Sequence, residues 1–279
     1  MSIASTRTRS WLFTPATRPE RFAKAPVVGA DVAILDLEDA VAPKDKAQAR
    51  ITALEYLAGS PPDGTLHALR INGLDTRAGI SDLDALLGSQ AAPDFLVLPK
   101  TETAGHLQIL DRLLTTVGKD TKLVGLIESA RGLAAVDAIA TATPRVVGLM
   151  LGAADMAADL GAATALAPLA FARGRLVAAC ALAGITPIDA PFFDIHDEAG
   201  LKQEATAAVA LGFSAKAAIH PVQIMAINAA LTPSTEAVEK ARAILAENTK
   251  GVGVVDGQMI DEAVARKARR TLVAAGVET

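Results

Sequence analysis

Short apolar runs that end in polar or charged residues recur along the chain, and each predicts a buried strand. Val, Leu, Ile and Gly dominate these runs, a composition typical of parallel strands that are covered on both faces. The runs begin at Trp11, Val32, Leu66, Phe95, Leu123, Val146, Thr186 and Lys216. Segments whose apolar residues follow helical spacing separate the runs, as Ile51, Leu54 and Ala58 do between the second and third.

Eight strands that alternate with helices over about 220 residues predict an α/β fold of the (β/α)8 TIM-barrel type. A doubly wound sheet would show the same alternation, but it would usually carry a Gly-rich phosphate loop after the first strand. The residues at that place, Thr14-Pro15-Ala16-Thr17, do not form such a loop. The pair Ser81 and Asp84 predicts a capping box at the start of the third major helix.

The segment 231–279 exceeds what a barrel needs. We therefore expect a catalytic domain over 1–230 and a C-terminal helical lid or subunit-contact arm over 231–279. Within this arm, 235–247 and 260–275 have helical character, and the Gly-rich stretch 251–257 predicts a tight β-turn.

Composition narrows the class of protein. Aromatic residues make up only 3% of the chain and the net charge is −4, which argues against nucleic acid as a partner. The single cysteine, Cys180, excludes an intramolecular disulfide and predicts a buried helical thiol. No apolar run approaches the ~20 residues of a membrane span, and the N-terminus makes a poor signal peptide. We expect a cytoplasmic protein with no membrane partner.

Two acids draw attention because each follows an apolar run. Glu128 closes the fifth strand, and Asp155 comes shortly after the sixth, 27 residues further on. That spacing fits one strand–helix–strand repeat, and neighbouring strands lie roughly 5 Å apart. Glu128 and Asp155 could then share one hard cation. A salt-bridge network is the alternative, because other charged residues also occur at strand ends. They are Asp36, Glu38, Asp39, Arg70, Lys100, Asp189 and His220.

Three of these side chains have two interpretations each. Arg70 either neutralises nearby acids or offers a planar fork to a substrate carboxylate, and the adjacent Asn72 donor favours the second. Lys100 is either a Schiff-base lysine or, as we favour, a partner of Asp36, Glu38 or Glu128. His220 precedes Pro221 and serves either a structural purpose or ligand contact.

A series of motifs resembles one known family over nearly the whole chain. The motifs are RSWLFTP (9–15), LDLEDAV (35–41), LRING (69–73), LPKTE (98–102), IESARG (127–132), LGAADMAADLG (151–161), PIDAPFFD (187–194), LGFSAKAAIHPVQI (211–224) and DGQMIDEAVARKARRTL (256–272). Each motif alone is weak, but nine in the right order are specific. The chain resembles the citrate lyase beta-subunit-like proteins, of the same HpcH/HpaI aldolase superfamily as the malyl-CoA and citramalyl-CoA lyases.

The resemblance implies a TIM barrel that acts on CoA thioesters with Mg²⁺. The metal acids of the family fall on Glu128 and Asp155, and its carboxylate-binding arginine falls on Arg70. In the malyl-CoA lyase branch, the acid of the C-terminal MID motif acts in a neighbouring subunit, and that acid falls on Asp261. The family also suggests a homotrimer. The chain departs from many relatives at Ala154, where they carry an acid, and at Ala16, where they carry Gly.

We therefore expect a carbon–carbon lyase that cleaves or forms a hydroxy-dicarboxylyl-CoA thioester, such as malyl-CoA, citramalyl-CoA or citryl-CoA, to give a 2-oxo acid and an acyl-CoA. Arg70 would bind the substrate carboxylate, backbone N–H groups at Gly152, Ala153 and Ala154 would contact the oxyanion, and Asp261 would carry the proton. Three alternatives remain: a citrate lyase subunit that uses a carrier-protein thioester, a CoA-thioester hydrolase, and a metal-independent aldolase with Lys100 or Lys216.

Overall fold

The computed structural model describes residues 7–59, 65–248, 253–255 and 258–277. Eight parallel strands form a closed barrel in sequence order. They are β1 (Ser10–Pro15), β2 (Val32–Asp36), β3 (Leu66–Arg70), β4 (Phe95–Leu98), β5 (Lys122–Ile127), β6 (Val146–Leu151), β7 (Thr186–Asp189) and β8 (Ala215–Ala218). The predicted (β/α)8 barrel is confirmed, with a strand at each of the eight predicted places.

Helices follow the strands and cover the barrel. They are α1 (Lys24–Val27), α2 (Lys46–Ala58), α3 (Arg77–Gly88), α4 (Ala104–Thr116), α5 (Ala130–Ala134), α6 (Val136–Ala140), α7 (Ala153–Leu160), α8 (Ala170–Ala183), α9 (Glu198–Leu211) and α10 (Ile224–Leu231). None of the described helices is long and apolar enough to cross a membrane. Cys180 lies fully buried in α8, as its apolar surroundings predicted.

The barrel closes where its first strand meets its last. Ser10 to Leu12 pair with Lys216 to Ala218, and the Lys216 amide donates to the Arg9 carbonyl at 2.8 Å. The Arg9 side chain forms an ion pair with Asp31 at 2.9 Å, just before β2. Because parallel strands run in one direction, all their carboxyl ends meet at one mouth of the barrel.

One local prediction was wrong. The capping box predicted at Ser81 and Asp84 does not open α3, because the helix already begins at Arg77 and both residues lie inside it. Thr76 is the N-cap instead, and its hydroxyl accepts a hydrogen bond from the Gly79 amide at 3.0 Å. A Thr side chain at the N-cap satisfies one of the unpaired amides of the first turn, so α3 needs no cap at Ser81.

The chain divides into two compact units, of which Thr8–Ile227 contains the barrel. The other contains Arg7 and the described residues from Asn228 onward. It includes α11 (Thr235–Asn248), an antiparallel pair of strands β9 (Gly253–Val255) and β10 (Gln258–Ile260), and α12 (Glu262–Ala274). Its two helices share a small apolar core, which includes Ile244, Ile260 and Leu272. The turn predicted over 251–257 lies partly outside the described residues.

Candidate active site

A cavity of about 400 Å³ lies at the carboxyl ends of the barrel strands. Its charged lining comes from four different strand ends and consists of Asp36, Asp39, Arg70, Glu128 and Asp155. Apolar side chains supply most of the rest, among them Phe13, Leu126, Met150, Phe193 and Ile219. The strand ends thus bring the predicted metal acids and the predicted carboxylate-binding arginine to one cavity.

Arg70 is held by two acids and one ring. Its Nε and Nη2 donate to the two carboxylate oxygens of Asp36 at 2.6 and 2.7 Å. Its Nη1 lies 2.9 Å from Glu38 Oε2 as an ion pair, although the angle does not suit a hydrogen bond. The guanidinium carbon lies 4.7 Å from the centre of the Phe13 ring. Burial lowers the pKa of Arg70, but Asp36 and Glu38 outweigh burial and raise it above its usual value.

This geometry confirms that Arg70 neutralises nearby acids, since Nε and Nη2 contact Asp36 and Nη1 contacts Glu38. Its contact with a substrate carboxylate stays a prediction. Such a carboxylate would have to bind at the Nη1 and Nη2 tips, because Asp36 occupies the Nε edge. Asn72, expected to add a donor there, does not do so. Its side-chain amide donates to Asp82 and to the Leu37 carbonyl, and therefore ties two loops together.

Glu128 follows β5 directly and is almost fully buried, at 5% exposure. Its Oε1 accepts the backbone N–H of Lys100 at 2.7 Å. Burial, together with the negative charges of Glu38 and Asp155, raises the pKa of Glu128 to about 8, although the Lys100 amide opposes the shift. A carboxyl group with this pKa holds its proton at neutral pH unless a cation offsets the surrounding negative charge.

Asp155 lies in the first turn of α7, immediately after β6. Gly152 connects the two elements, and its amide donates to the Ile127 carbonyl at 3.0 Å, so that β5 and β6 end side by side. Glu128 packs tightly against this glycine: a Cβ placed on Gly152 would lie 2.5 Å from both Cβ and Oε2 of Glu128. Ala153 and Ala154 complete this wall of the cavity.

Lys100 follows β4 and pairs with Glu38, as favoured from the sequence. Its Nζ donates to Glu38 Oε1 at 2.9 Å. Burial lowers the pKa of Lys100, but the hydrogen bond and charge of Glu38 outweigh burial, and the net shift is upward. A Schiff-base lysine needs a lowered pKa, so this environment does not favour the aldolase alternative.

The chemistry of this donor set fits a magnesium ion. With every group ionised, five acids (Asp36, Glu38, Asp39, Glu128 and Asp155) and two cationic side chains (Arg70 and Lys100) give the cluster a net charge of −3. No group of three or more His, Cys, Asp or Glu residues that could form a complete metal cage occurs among the described residues. Mg²⁺ does not require one, because it is usually bound by one or two carboxylates plus water and substrate oxygens.

Two other residues singled out in the sequence, Asp189 and His220, do not line this cavity. Asp189 was expected at the mouth, but it is fully buried and pairs with Arg173 and Lys216 at 2.9 and 2.7 Å. His220 is exposed and does not line the cavity, whereas its neighbour Ile219 does. The His220 ring accepts a hydrogen bond from the Val222 amide, which is a structural use of the side chain.

Asp261 belongs to the C-terminal unit and is the N-cap of α12. Its Oδ1 accepts the Val264 amide at 2.9 Å. Phe13 as a partner of Arg70 and Met150 as part of the cavity wall were not predicted from the sequence. Their strand positions were predicted, but apolar side chains of a barrel point either into its core or toward its helices, and the sequence pattern does not distinguish the two in strands buried on both faces.

The fold and this site define the class of protein: a (β/α)8-barrel enzyme with its acidic site at the carboxyl ends of the strands. The family model described as HpcH/HpaI aldolase/citrate lyase matches residues 9–221. The chain belongs to this family, as its motifs indicated.

Two named relatives match nearly the whole chain. It is 38% identical to an L-malyl-CoA/beta-methylmalyl-CoA lyase from Cereibacter sphaeroides over 93% of this chain and 92% of the relative. It is also 38% identical to a citrate lyase subunit beta-like protein from Mycobacterium tuberculosis over 96% of both chains.

Solved structures agree with the fold. CitE from Mycobacterium tuberculosis, in complex with magnesium, acetoacetate and coenzyme A, is 36% identical with a TM-score of 0.82 and covers 98% of this chain and 99% of that chain. RipC from Yersinia pestis is 58% identical with a TM-score of 0.74 and covers 83% of this chain and 98% of that chain.

Proposed function

We propose that this family member is a Mg²⁺-dependent carbon–carbon lyase that cleaves, or forms, a hydroxy-dicarboxylyl-CoA thioester. Candidate substrates are malyl-CoA, citramalyl-CoA and citryl-CoA, and the products are a 2-oxo acid and an acyl-CoA. The observation that carries the proposal is the convergence of Glu128, Asp155 and Arg70 on one cavity. Further support comes from relatives named as malyl-CoA lyases and from a relative that binds magnesium and coenzyme A.

Glu128 and Asp155 would hold the metal. Mg²⁺, when bound, supplies Lewis-acid polarisation of the hydroxyl and carboxylate oxygens of the substrate. The tips of Arg70 bind the same carboxylate and orient the bond that breaks, while Asp36 keeps the guanidinium in place. The backbone amides of Ala153 and Ala154 lie at the start of α7, where partial positive charge favours a developing oxyanion. The Gly152 amide, expected to share this role, already donates to the Ile127 carbonyl.

In the cleavage direction, the bond between the carbinol carbon and the α-carbon of the thioester breaks. The hydroxyl gives its proton to water as the carbonyl of the 2-oxo acid forms, and the electron pair of the broken bond becomes the thioester enolate. Protonation of the enolate carbon then gives the acyl-CoA. Asp261 supplies this proton, acting in the site of a neighbouring copy of the chain.

Asp261 in this role requires a homo-oligomer, and a trimer is the assembly proposed here. The segment 231–279 would then be the lid and contact arm of the assembly. His220 is retained only as a proposed substrate contact. The cytoplasm is the proposed location.

A synthesis screen tests this function. Glyoxylate, pyruvate and oxaloacetate are each combined with acetyl-CoA and propionyl-CoA, with Mg²⁺ or with EDTA, and the thioester products are identified by mass spectrometry. We expect one Mg²⁺-dependent product series that disappears in Glu128→Gln and Asp155→Asn. Asp159→Asn is the matched control, because it makes the same change one turn further along α7, outside the cavity lining. Equal product in EDTA, or in both site variants, would refute the proposal.

The alternatives receive less support. The described lysines proposed for a Schiff base, Lys100 and Lys216, both form ion pairs, and Lys216 is 1% exposed. The relative that contains coenzyme A favours free CoA esters over a carrier-protein thioester. A hydrolase would release free acid and CoA in the same screen, so product analysis separates it from a lyase.

A further inference from the structure

Lys100 has an unusual backbone. Its φ is +48°, and it is the only residue other than glycine with a positive φ among the residues that the structure describes. Side chains rarely adopt this left-handed conformation, because the Cβ atom approaches the following carbonyl oxygen. Such a conformation persists only where the surrounding structure imposes it, and it occurs preferentially at functional sites.

The surroundings of Lys100 impose the conformation from both sides. Before it, β4 ends at Leu98 in the barrel sheet. After it, the Thr101 amide donates to the Leu126 carbonyl at 3.1 Å, and the Thr101 hydroxyl donates to the Leu98 carbonyl at 2.8 Å. Thr101 is only 1% exposed, so the turn between these two points has little room to relax.

In this conformation Lys100 reaches two acids at once. Its backbone N–H donates to Glu128 Oε1 at 2.7 Å, and its ammonium donates to Glu38 Oε1 at 2.9 Å. The first contact occupies one oxygen of Glu128 and leaves Oε2, beside Gly152, as the oxygen available to a cation. The second contact anchors the turn after β4 to the loop after β2.

We propose that Lys100 is a positioning residue whose left-handed backbone, anchored by the ammonium on Glu38, holds Glu128 in the orientation that binds Mg²⁺. This inference rests on the proposed function, because it takes Glu128 as a metal ligand. It adds a role for Lys100 that is neither Schiff-base chemistry nor charge neutralisation.

Charge alone predicts the opposite effect. The cluster has a net charge of −3 when all of its groups are ionised, and loss of the Lys100 ammonium would make it more negative. If Lys100 only neutralised charge, its removal would strengthen Mg²⁺ binding. If it positions Glu128, its removal weakens Mg²⁺ binding, because the carboxylate must then be ordered at the cost of binding affinity.

The test compares Lys100→Gly with Lys100→Ala in the full-length protein. Both variants lose the ammonium, so their charge is identical, but glycine enters the left-handed region freely and alanine does not. The dissociation constant of Mg²⁺ alone is measured by isothermal titration calorimetry. We expect Lys100→Ala to bind about fivefold or more weakly than Lys100→Gly, the ratio that about 1 kcal/mol of left-handed backbone cost represents. Lys100→Arg should restore most of the affinity, because it retains a cation for Glu38.

Thermal unfolding without Mg²⁺ accompanies each titration. Equal dissociation constants for the glycine and alanine variants would overturn the inference, and so would tighter binding in both than in the wild type. A lowered unfolding temperature with unchanged Mg²⁺ affinity would reduce Lys100 to a structural residue and would also overturn it. Absence of Mg²⁺ binding by the wild type would overturn the metal site and this inference together. If the wild type binds Mg²⁺ and Glu128→Gln does not, the metal site is supported, and a failed Lys100 prediction then counts against the role of Lys100 alone.

Discussion

Gly152 offers the sharpest single perturbation of the site. Its φ of −95° is allowed for alanine, so Gly152→Ala introduces no backbone strain. The new methyl group would instead lie 2.5 Å from Cβ and Oε2 of Glu128, whereas ordinary contacts begin near 3.4 Å. Glu128 is buried and has little space to retreat, so its carboxylate must move by about 1 Å.

The displacement of the Glu128 carboxylate sets the size of the expected loss in kcat. A misplacement of 1 Å in a reacting group costs about 10²-fold in rate, so we expect kcat to fall by about two orders of magnitude. Overpacking in a well-packed region costs ~1–3 kcal/mol, so the variant should still fold. The assay is the Mg²⁺-dependent thioester synthesis described above, with the free energy of unfolding measured in urea on the same preparation.

Gly174→Ala is the matched control. Gly174 lies inside α8 with open space where its Cβ would be, so the same substitution relieves a helix glycine and should stabilise the protein by ~0.5–1 kcal/mol. Its kcat should equal that of the wild type. If Gly152→Ala kept wild-type kcat, the close approach of Glu128 to the start of α7 would have no part in the reaction, and the reasoning would fail.

Three further perturbations have defined outcomes. Asp261→Asn keeps a side chain able to cap α12, so it should spare coenzyme A binding and stability but lower kcat ~10²–10⁴-fold. Asp197→Asn, at the N-cap of α9, is the control. An unchanged kcat in Asp261→Asn would exclude Asp261 from the chemistry. Glu128→Gln should stabilise the metal-free protein above pH 8 by a few kcal/mol relative to wild type and change little near pH 4. The pKa of Glu128 is about 8 in the folded protein and near 4.5 in the unfolded chain, so the stability of the wild type falls as the pH rises from 4.5 through 8. Urea unfolding at several pH values measures this fall. A difference in stability between variant and wild type that did not change with pH would contradict it. Lys216→Met should lower the free energy of unfolding by about 3 kcal/mol, because Asp189 loses a buried partner; a loss below 0.5 kcal/mol would show that Arg173 alone suffices.

The strands and their order followed from local information in the sequence. An apolar run that turns polar marks both a buried strand and the end at which it emerges, so the neighbouring positions of Glu128 and Asp155 were predictable. The barrel adds only the requirement that consecutive parallel strands pair, and β5 and β6 do. The family resemblance was equally accessible, because its motifs occur at these strand ends.

Ion pairs between residues that lie far apart in the chain were not predictable from the sequence. Asp189 resembles the other strand-end acids in sequence, yet Arg173 on α8 and Lys216 on β8 enclose it completely. Likewise, several acids could have paired with Arg70. The side-chain geometry in the barrel selects Asp36, which occupies the Nε edge. The left-handed backbone of Lys100 leaves no trace in the sequence, because Lys is not a residue that signals it.

The pairing of β1 with β8 sets a limit on how this chain can fold during its synthesis. Ser10 pairs with Lys216, about 200 residues later. At ribosomal rates of ~5–20 residues per second, β1 waits for roughly 10–40 s before its last partner exists. During that time one edge of β1 is unpaired and able to join another strand. Expression at low temperature changes the length of that interval. Because the edge of β1 is unpaired meanwhile, chaperones that cover strand edges should raise the yield of soluble protein more than tighter packing elsewhere would.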